Sequence, residues 1–416
     1  MVLNFLWIAF FLVAFVVALI RLIFNHETDI LKKMMDGVFD TANSSVQISI
    51  GLIGVMSLFL GFMNIGEKAG AINFLSRLVW PFFSKLFPEL PRKHPAMGHM
   101  MMNFSANLLG LDNAATPFGL KAMESLQELN PNKDTASNSQ IMFMVLHASG
   151  LTLIPVSIIT QRIIAHSKNP MEVFLPCLIT TFVATMVAMS ITAFWQRFTR
   201  KQWLAIIVVG GIGSILIAGL GYYLRYRLTQ EGATSFSNIV SNGIILLFFV
   251  VIILGGMWKK VHVYDTFIDG AKQGFEIAVK IIPYLVAMLV AISVLRTSGV
   301  FDYIIQSLSW VCASLGMDTQ FVPAMPTALM KPFSGGGARA LMIETINNPV
   351  YGPDSFAGRL SCIFNGTADT TFYIVALYFG SVGIKKTRYA IPASLLADLA
   401  GIITAIFIAY NWPWSS

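Results

Sequence analysis

The chain has 416 residues, of which 56% are hydrophobic and 12% are charged, and its formal net charge at pH 7 is +7. Soluble domains usually carry about 25% charged residues, so this composition excludes an ordinary soluble enzyme and places the chain in a membrane. The basic excess is typical of membrane proteins with Lys and Arg in their loops, and no basic cluster with interleaved aromatics indicates a nucleic-acid partner. The three cysteines are scattered through apolar segments and predict neither disulfides nor a metal site.

Long apolar runs are the main elements of the chain, and each can cross a hydrocarbon core about 30 Å thick. In chain order they are residues 2–24, 46–63, 140–160, 173–194, 203–224, 239–258, 277–295, 360–380 and 389–410. Amphipathic stretches between them, typical of helices in the membrane interface, are residues 27–40, 67–87, 262–273 and 299–316. We therefore predict an all-α polytopic membrane protein with about nine transmembrane helices and several interfacial helices.

The two halves of the chain repeat the same order of parts: span, interfacial helix, span, interfacial helix, polar segment, span, span. Asp36 recurs as Asp269, and Gly66 recurs as Gly299 at the same offset. One extra crossing lies between the halves, so the second half starts on the opposite face, which predicts an inverted repeat. The predicted units are residues 1–201 (first repeat), 202–236 (linking transmembrane helix) and 237–416 (second repeat).

Each half contains a polar segment rich in Asn, Gly and Pro, with flanking apolar arms too short to cross the membrane. Polar backbone at that depth persists only when it is buried in protein or faces a watery cavity, so we predict a re-entrant helical hairpin in each half. Paired interruptions of this kind mark the binding sites of transporters. The candidate binding residues are Asn103, Ser105, Asn107, Asp112, Asn113 and Thr116 in hairpin one, and Lys331, Ser334, Gly335, Gly336 and Arg339 in hairpin two.

The second arm of each hairpin would point a helix N-terminus and its free N–H groups at the middle of the membrane, where they suit a polar or anionic ligand group. In hairpin one this arm is expected to start near Ala114, with Asp112 or Asn113 as its N-cap. In hairpin two it is expected to start at the glycines that follow Ser334. The alternative is that these polar residues only cap and turn the two helices.

The span after each hairpin has its own polar interruption. Gly and Pro within an apolar span kink it and release carbonyl groups, and Ser, Thr, Asn and Asp add oxygen ligands that suit a sodium ion or a polar solute. The candidates are His147, Ser149 and Thr152 in the first span and Asn365, Thr367, Asp369 and Thr370 in the second. We assign ion coupling to Asn107, His147, Ser149, Thr152 and Asp369, and we expect no catalytic residue, cofactor or resident metal.

Asp369 is the strongest candidate for a binding residue. Burying a carboxylate inside a transmembrane span costs free energy, so such a residue usually faces a cavity or a partner. Its alternative role is an ion pair with Lys331 or Arg339 that only holds hairpin two in place. His147 suits a proton relay, or it is a buried histidine that hydrogen-bonds a neighbour. Asp398, in the last span, is a further candidate for a buried acid.

The sequence motifs of the two hairpins resemble those of a known protein family. Residues 103–123 are similar to spore maturation protein A, and residues 331–339 and 365–373 are similar to spore maturation protein B. The chain therefore resembles an A–B fusion in the nucleoside-recognition (Gate) family, which in turn resembles concentrative nucleoside transporters. The resemblance implies solute uptake coupled to Na⁺ or H⁺, with hairpin one and its partner span holding the ion. The acidic motif that those transporters use for ribose is not visible in hairpin one, and Lys331 and Arg339 instead suit a ligand with a carboxylate or phosphate.

Together these features predict a secondary transporter of a small polar organic solute, nucleoside-like or carboxylate-bearing, with Na⁺ or H⁺ as coupling ion. The alternative is a non-transporting membrane binding or scaffold component involved in spore or envelope maturation. No nucleophile–base pair or metal-ligand spacing supports an enzyme. The expected partners are the solute, the lipid bilayer and a second copy of the chain. The resemblance implies a multi-pass protein of the bacterial inner (plasma) membrane. A small excess of Lys and Arg in the loops of one face predicts a cytoplasmic N-terminus.

Overall fold

A computed structural model describes residues 2–91, 94–108, 112–152, 155–223 and 230–414. Within these ranges all regular structure is helical, apart from one isolated bridge between Thr135 and Lys386. The helices up to the middle of the chain are α1 (Val2–Phe24), α2 (Ile30–Lys68), α3 (Ala71–Leu86), α4 (Pro95–Leu108), α5 (Asp112–Leu129), α6 (Asn138–Ala148), α7 (Val156–Ile164), α8 (Phe174–Trp195) and α9 (Arg200–Tyr222). The later helices are α10 (Gln230–Trp258), α11 (Val263–Thr297), α12 (Val300–Ser314), α13 (Met325–Met330), α14 (Gly335–Asn347), α15 (Phe356–Gly366), α16 (Thr371–Ser381) and α17 (Ala390–Asn411).

Several helices are long and apolar enough to cross a bilayer. In the described part of the chain, four uninterrupted stretches meet both conditions: Trp7–Phe24, Pro170–Trp195, Arg200–Gly219 and Ala390–Asn411. Large apolar side chains such as Phe24 and Ile215 are exposed on these helices. An apolar outer surface is what a helix surrounded by lipid requires, so the protein is a helical membrane protein, as its composition predicts.

The predicted interfacial helices at residues 27–40 and 262–273 are wrong as separate elements. Each is continuous with the span that follows it, because α2 and α11 run unbroken through both stretches. Gly37 and Gly270 lie inside these helices without a positive φ, so neither glycine ends its helix. The change from polar to apolar composition therefore marks no change in backbone conformation.

The helices α2 and α11 pack closely along each other. Side chains of one helix donate to main-chain carbonyls of the other: Asn64 Nδ2 donates to Thr266 O at 2.7 Å, and Ser293 Oγ donates to Gly37 O at 3.1 Å. A Cβ atom at Gly270 would overlap the backbone of α2. Small residues and side-chain hydrogen bonds of this kind allow membrane helices to approach each other.

A left-handed glycine ends each of these two long helices and starts the next one. Gly70 (φ +84°) precedes α3, and Gly299 (φ +88°) precedes α12. Glycine adopts this conformation without the steric cost of a Cβ atom. Gly70, rather than Gly66, therefore occupies the position that corresponds to Gly299, and the two equivalent turns lead into the amphipathic helices expected near residues 67–87 and 299–316.

Two apolar cores each contain two arms of the broken spans, and each core combines parts from both halves of the chain. The first core packs α4 and α5 against α6 and against α16. The second core packs α13 and α14 against α15 and against α7. The helices α8 and α17 contribute to both cores. Each pair of hairpin helices is thus held by one arm of its own half and by one arm of the other half.

Candidate functional site

The two broken spans contact each other at their interruptions. After α6 ends, Gly150 takes φ +60°, and Pro155, which has no N–H to donate, precedes α7. In the second half, the gap between Gly366 and Thr371 separates α15 from α16. The amide of Asp369 donates to the carbonyl of Ala148 at 2.8 Å, so a main-chain hydrogen bond joins the two breaks. Both predicted interruptions are confirmed.

Hairpin two consists of α13 and α14, and the start of α14 lies against the second break, between Gly366 and Thr371. Ser334 caps the helix, since its hydroxyl accepts from the amide of Gly337 at 3.0 Å, and α14 begins at Gly335 as the glycine triplet predicts. The carbonyl of Pro332 accepts from the amide of Phe372 at 3.0 Å. A Cβ atom at Gly335 would lie 2.7 Å from the hydroxyl of Thr370. The helix N-terminus is therefore fixed directly beside the break.

Hairpin one approaches the first break through two asparagines. Asn107 Nδ2 lies 2.7 Å from Nδ1 of His147, and Asn103 Oδ1 lies 3.0 Å from the same nitrogen. The two contacts require opposite roles of Nδ1, which either accepts a hydrogen bond from Asn107 Nδ2 or donates one to Asn103 Oδ1. Nε2 of His147 lies 3.7 Å from the carboxylate of Asp369 and 3.3 Å from the hydroxyl of Tyr378. His147 thus links hairpin one to the second break.

A cavity of about 310 Å³ lies where these segments meet. Its volume is at the lower end of the range for small-molecule sites, roughly 300–1,000 Å³. The predicted residues that line it are Asn107, His147, Thr152, Lys331, Gly335, Arg339, Asn365 and Asp369. Asp369 faces the cavity with 44% of its side chain exposed, whereas the side chain of His147 is only 3% exposed. Both halves therefore contribute polar walls to one site.

Other predicted binding residues do not line this cavity. They are Asn103, Ser105, Ser149, Ser334, Gly336, Thr367 and Thr370. The hydroxyls of Ser149 and Thr367 donate to carbonyls of their own helices, both at 2.9 Å, so these two residues serve the helix ends. Asn103 contacts His147, which lines the cavity. Thr370 lies beside Gly335, which also lines it.

The remaining candidates of hairpin one are Asp112, Asn113 and Thr116, whose side chains lie outside the described residues. The backbone of Asp112 and Asn113 already belongs to α5, so their predicted role as N-cap is wrong. An acidic residue is as favourable in the first turn of a helix as at its cap, and the sequence therefore does not separate the two positions.

Two polar atoms at the cavity have no hydrogen-bond partner in the described structure. They are Nε of Arg339 and Oδ1 of Asn365, a residue that is only 5% exposed. Buried polar groups are normally paired, so these two atoms are exceptions within the packed wall of the cavity. Among the described residues, no group of three or more His, Cys, Asp and Glu could hold a metal ion.

Sequence reasoning did not find several residues of the site. The side chains of Phe59, Leu60 and Met63 in α2 and of Tyr373 in α16 also line the cavity. Aromatic and aliphatic residues are common throughout apolar spans, so no local signal marks these four.

Asp398 is buried as expected, and Thr371 donates to its Oδ2 atom at 2.7 Å.

A buried charge cluster was also not predicted. Nη2 of Arg162 lies 2.7 Å from Oε1 of Glu172 and 2.9 Å from Oδ1 of Asp354. Nε of Arg359 lies 2.6 Å from the same Glu172 oxygen. The cluster ties the end of α7 and the start of α8 to the start of α15. It therefore joins the two halves of the chain.

Asp354, in the loop between α14 and α15, has a lowered pKa. Its partial burial alone would raise the pKa, but hydrogen bonds from Ser167 and from the amide of Lys168 outweigh that effect, together with the charges of Arg162 and Arg359. These groups all favour the charged carboxylate. Asp354 is therefore ionised at neutral pH and contributes one of the negative charges that balance the two arginines.

An apolar helical bundle with a polar cavity between two broken helices defines a helical membrane protein with a polar cavity among its helices. The chain belongs to the nucleoside-recognition (Gate) family. The model of that family matches residues 49–165 and 278–385, which together make up more than half of the chain. The matched ranges contain both hairpins and both broken spans.

Two curated relatives come from Bacillus subtilis (strain 168). Spore maturation protein A is 37% identical over 199 residues, which cover 48% of this chain and 98% of that protein. Spore maturation protein B is 45% identical over 171 residues, which cover 41% of this chain and 93% of that protein. No solved structure matches the chain.

Proposed function

We propose that the protein is a secondary transporter of a small polar organic solute, nucleoside-like or carboxylate-bearing, in the bacterial inner membrane. The observation that carries the proposal is the cavity itself. Both helix breaks meet there through the hydrogen bond between Asp369 and Ala148, and the start of α14 lies against the same break. Transporters built from repeats bind their solute at such breaks in the middle of the membrane. The family description, nucleoside recognition, agrees with a solute site.

The order of the helices supports an inverted repeat. The hairpins α4–α5 and α13–α14, the broken spans α6–α7 and α15–α16, and the helices α8 and α17 follow one another in the same order on either side of α9. A single crossing by α9 places the second half upside down relative to the first. In this arrangement both hairpins are re-entrant, and their tips approach the cavity from opposite faces. We assign the first repeat to the A-type relative and the second to the B-type relative, on the motifs at residues 103–123 and at residues 331–339 and 365–373.

Ion coupling is assigned to the side of the cavity near the first break. Asn107 and Thr152 offer oxygen atoms to Na⁺, and the contact between His147 and Asp369 offers a path for H⁺. An ion bound beside the solute couples the two gradients, because each then binds better in the presence of the other. Asp369 takes part in both alternatives, since its carboxylate is exposed to the cavity.

A transport assay with proteoliposomes tests the proposal. A mixture of nucleosides and organic acids is offered with an inward Na⁺ gradient, an inward proton gradient or no gradient, and uptake is measured by mass spectrometry. We expect the parent protein to concentrate at least one compound under one gradient and Asp369→Asn to lose this dependence. Asp265→Asn, an exposed site in α11, is the control and should behave like the parent.

The names of the two relatives favour a second candidate function, that of a membrane binding or scaffold component in spore or envelope maturation. The same cavity would then bind its solute without moving it across the membrane. This candidate predicts binding of a compound together with equal entry into the vesicles with and without gradients. Accumulation against a gradient would exclude it.

A further inference from the structure

A groove outside the central cavity lies between the end of α3 and the start of α9. Its volume is about 440 Å³. The described residues that form its walls are Lys85, Pro88, Thr199, Lys201, Gln202 and Leu204. None of these six residues lines the cavity between the two breaks. The groove is therefore a second candidate site, separate from the proposed solute site.

The groove lies at the end of a helix that faces lipid. The stretch Arg200–Gly219 in α9 is long and apolar enough to cross the membrane. Leu204 and Ile207, near its start, are 59% and 61% exposed, as side chains surrounded by acyl chains are. Basic residues at the start of a span stay outside the hydrocarbon, so this end of α9 lies at the level of the lipid headgroups. Trp80 in α3, which is also exposed, suits the same depth.

The polar groups of the groove are mainly positively charged or hydrogen-bond donors. The charged residues among its walls are Lys85 and Lys201, both exposed, and each ammonium group carries three donors and no acceptor. The amide and the hydroxyl of Thr199 both donate to Oε1 of Gln202, at 2.7 and 2.8 Å. Because this acceptor is occupied, the group that Gln202 can still offer to a ligand is its Nε2 donor. Such a set of groups suits an anion.

An acidic residue nearby does not cancel this positive charge. Glu89 lines a smaller pocket of about 90 Å³ that shares two wall residues with the groove. Oε1 of Glu89 accepts from Nδ2 of Asn138 at 3.1 Å, so this carboxylate is oriented toward the start of α6. Arg197 and Arg200, which are exposed beside Lys201, add two further positive charges. Positive charge therefore exceeds negative charge around the groove.

The apolar wall of the groove distinguishes a lipid from a free anion. Pro88 and Leu204 form this wall, and it continues into the lipid-facing surface of α9. A free phosphate ion gains nothing from apolar side chains. A phospholipid brings the same phosphate together with acyl chains that cover the apolar wall, which adds hydrophobic stabilisation. Basic pockets between helices at the membrane surface bind anionic headgroups in this way.

From these observations we propose that the groove binds an anionic phospholipid. Its phosphate lies between Lys85 and Lys201, and an acyl chain follows Leu204 and Ile207 along α9. The bound lipid holds the end of the amphipathic helix α3 against the start of the span. The proposal is independent of transport, since no residue of the solute cavity takes part in it.

Lipids that differ in headgroup charge test the proposal on the parent protein. The full-length protein in dodecyl maltoside is stripped of lipid and titrated with phosphatidylglycerol, with phosphatidylcholine of the same acyl chains, or with inorganic phosphate. Bound lipid is counted by native mass spectrometry, and thermal unfolding is measured in parallel, because a ligand of the folded state raises the unfolding temperature. Each basic residue near an anionic lipid surface contributes about 5-fold in affinity, so phosphatidylglycerol should bind at least about 10-fold more tightly than phosphatidylcholine. Equal binding of the two lipids, or equal stabilisation by inorganic phosphate, would overturn the proposal.

Double variants then locate the lipid. Lys85→Gln combined with Lys201→Gln should weaken binding of phosphatidylglycerol about 25-fold, from the same contribution per residue. Lys85→Arg combined with Lys201→Arg keeps both charges and should keep the binding. The matched control is Lys259→Gln combined with Lys260→Gln, which removes two exposed lysines directly after α10 and should bind like the parent.

The control separates the groove from the overall charge of the protein. An equal loss of binding in the two Gln double variants would mean that net charge alone attracts the lipid, and it would overturn the proposal. Unchanged binding in the variant of Lys85 and Lys201 would overturn it as well. The comparison of headgroups on the parent needs no variant, so it decides the proposal even if a double variant fails to fold.

Discussion

Replacing Glu172 by Gln tests the buried charge cluster between the two halves. The side chains of Arg162 and Glu172 are 0% and 3% exposed, and that of Arg359 is 10% exposed. Removing one partner of a buried ion pair typically costs about 3–5 kcal/mol, because the other charge stays buried. Gln can still accept hydrogen bonds, and Arg162 keeps its contacts with Asp354 and with the carbonyl of Pro353. We therefore expect the lower end, a loss of about 3 kcal/mol in the free energy of unfolding.

The assay is reversible unfolding in mixed micelles of dodecyl maltoside and sodium dodecyl sulfate. The control is Asp134→Asn at another contact between the halves, where Asp134 and Lys386 are 3.6 Å apart and both largely exposed. Solvent screens such a pair, so this variant should unfold like the parent. A double-mutant cycle with Arg359→Gln should show that the two effects are not additive.

The result that would refute the reasoning is a loss of less than about 1 kcal/mol in Glu172→Gln, the range of exposed ion pairs. It would mean that water reaches the cluster and that the cluster does not hold the halves together. Additive effects in the double-mutant cycle would lead to the same conclusion.

Three further predictions concern stability. Because the pKa of Asp354 is lowered on folding, its ionised carboxylate contributes to the free energy of unfolding. This contribution is complete above the usual pKa of 3.8 and is lost as the pH falls through the lowered value. Unfolding measured from pH 7 to 3 should show this loss, and Asp354→Asn should make the pH dependence smaller. Gly150→Ala should lower the free energy of unfolding by about 1–2 kcal/mol, because Ala rarely adopts the left-handed conformation. The loss should be larger still, since the new Cβ lies 3.0 Å from the amide nitrogen of Asp369. An unchanged unfolding curve would contradict the geometry of the first break. Gly270→Ala should lower the thermal unfolding temperature by forcing α2 and α11 apart, whereas Gly243→Ala, which meets no atom within 4 Å, should not.

The features that the sequence predicted well are those with a local cause. Gly150 and Pro155 break the first span because one adopts a positive φ and the other lacks an N–H group. Ser334 followed by glycines marks the start of α14 through a cap that needs only neighbouring residues. Such signals are independent of the rest of the fold, so they are visible in one sequence.

The features that the sequence did not predict depend on distant residues. The contact of His147 with Asp369 joins segments that are far apart in the chain. The contacts of Arg162 with Asp354 and of Glu172 with Arg359 do the same. No spacing rule connects such positions. The continuity of α2 and α11 was missed for another reason, since polar residues at the start of a helix resemble an interfacial helix by composition alone.

The cavity belongs to neither half of the chain alone. Its lining combines His147 and Thr152 from one half with Arg339, Asn365 and Asp369 from the other. A cell that made the halves as two polypeptides would obtain a complete site only where both met in the same bilayer, and any surplus of one would be wasted. Covalent linkage through α9 fixes their stoichiometry, so expression of a single gene is enough to set the number of working sites.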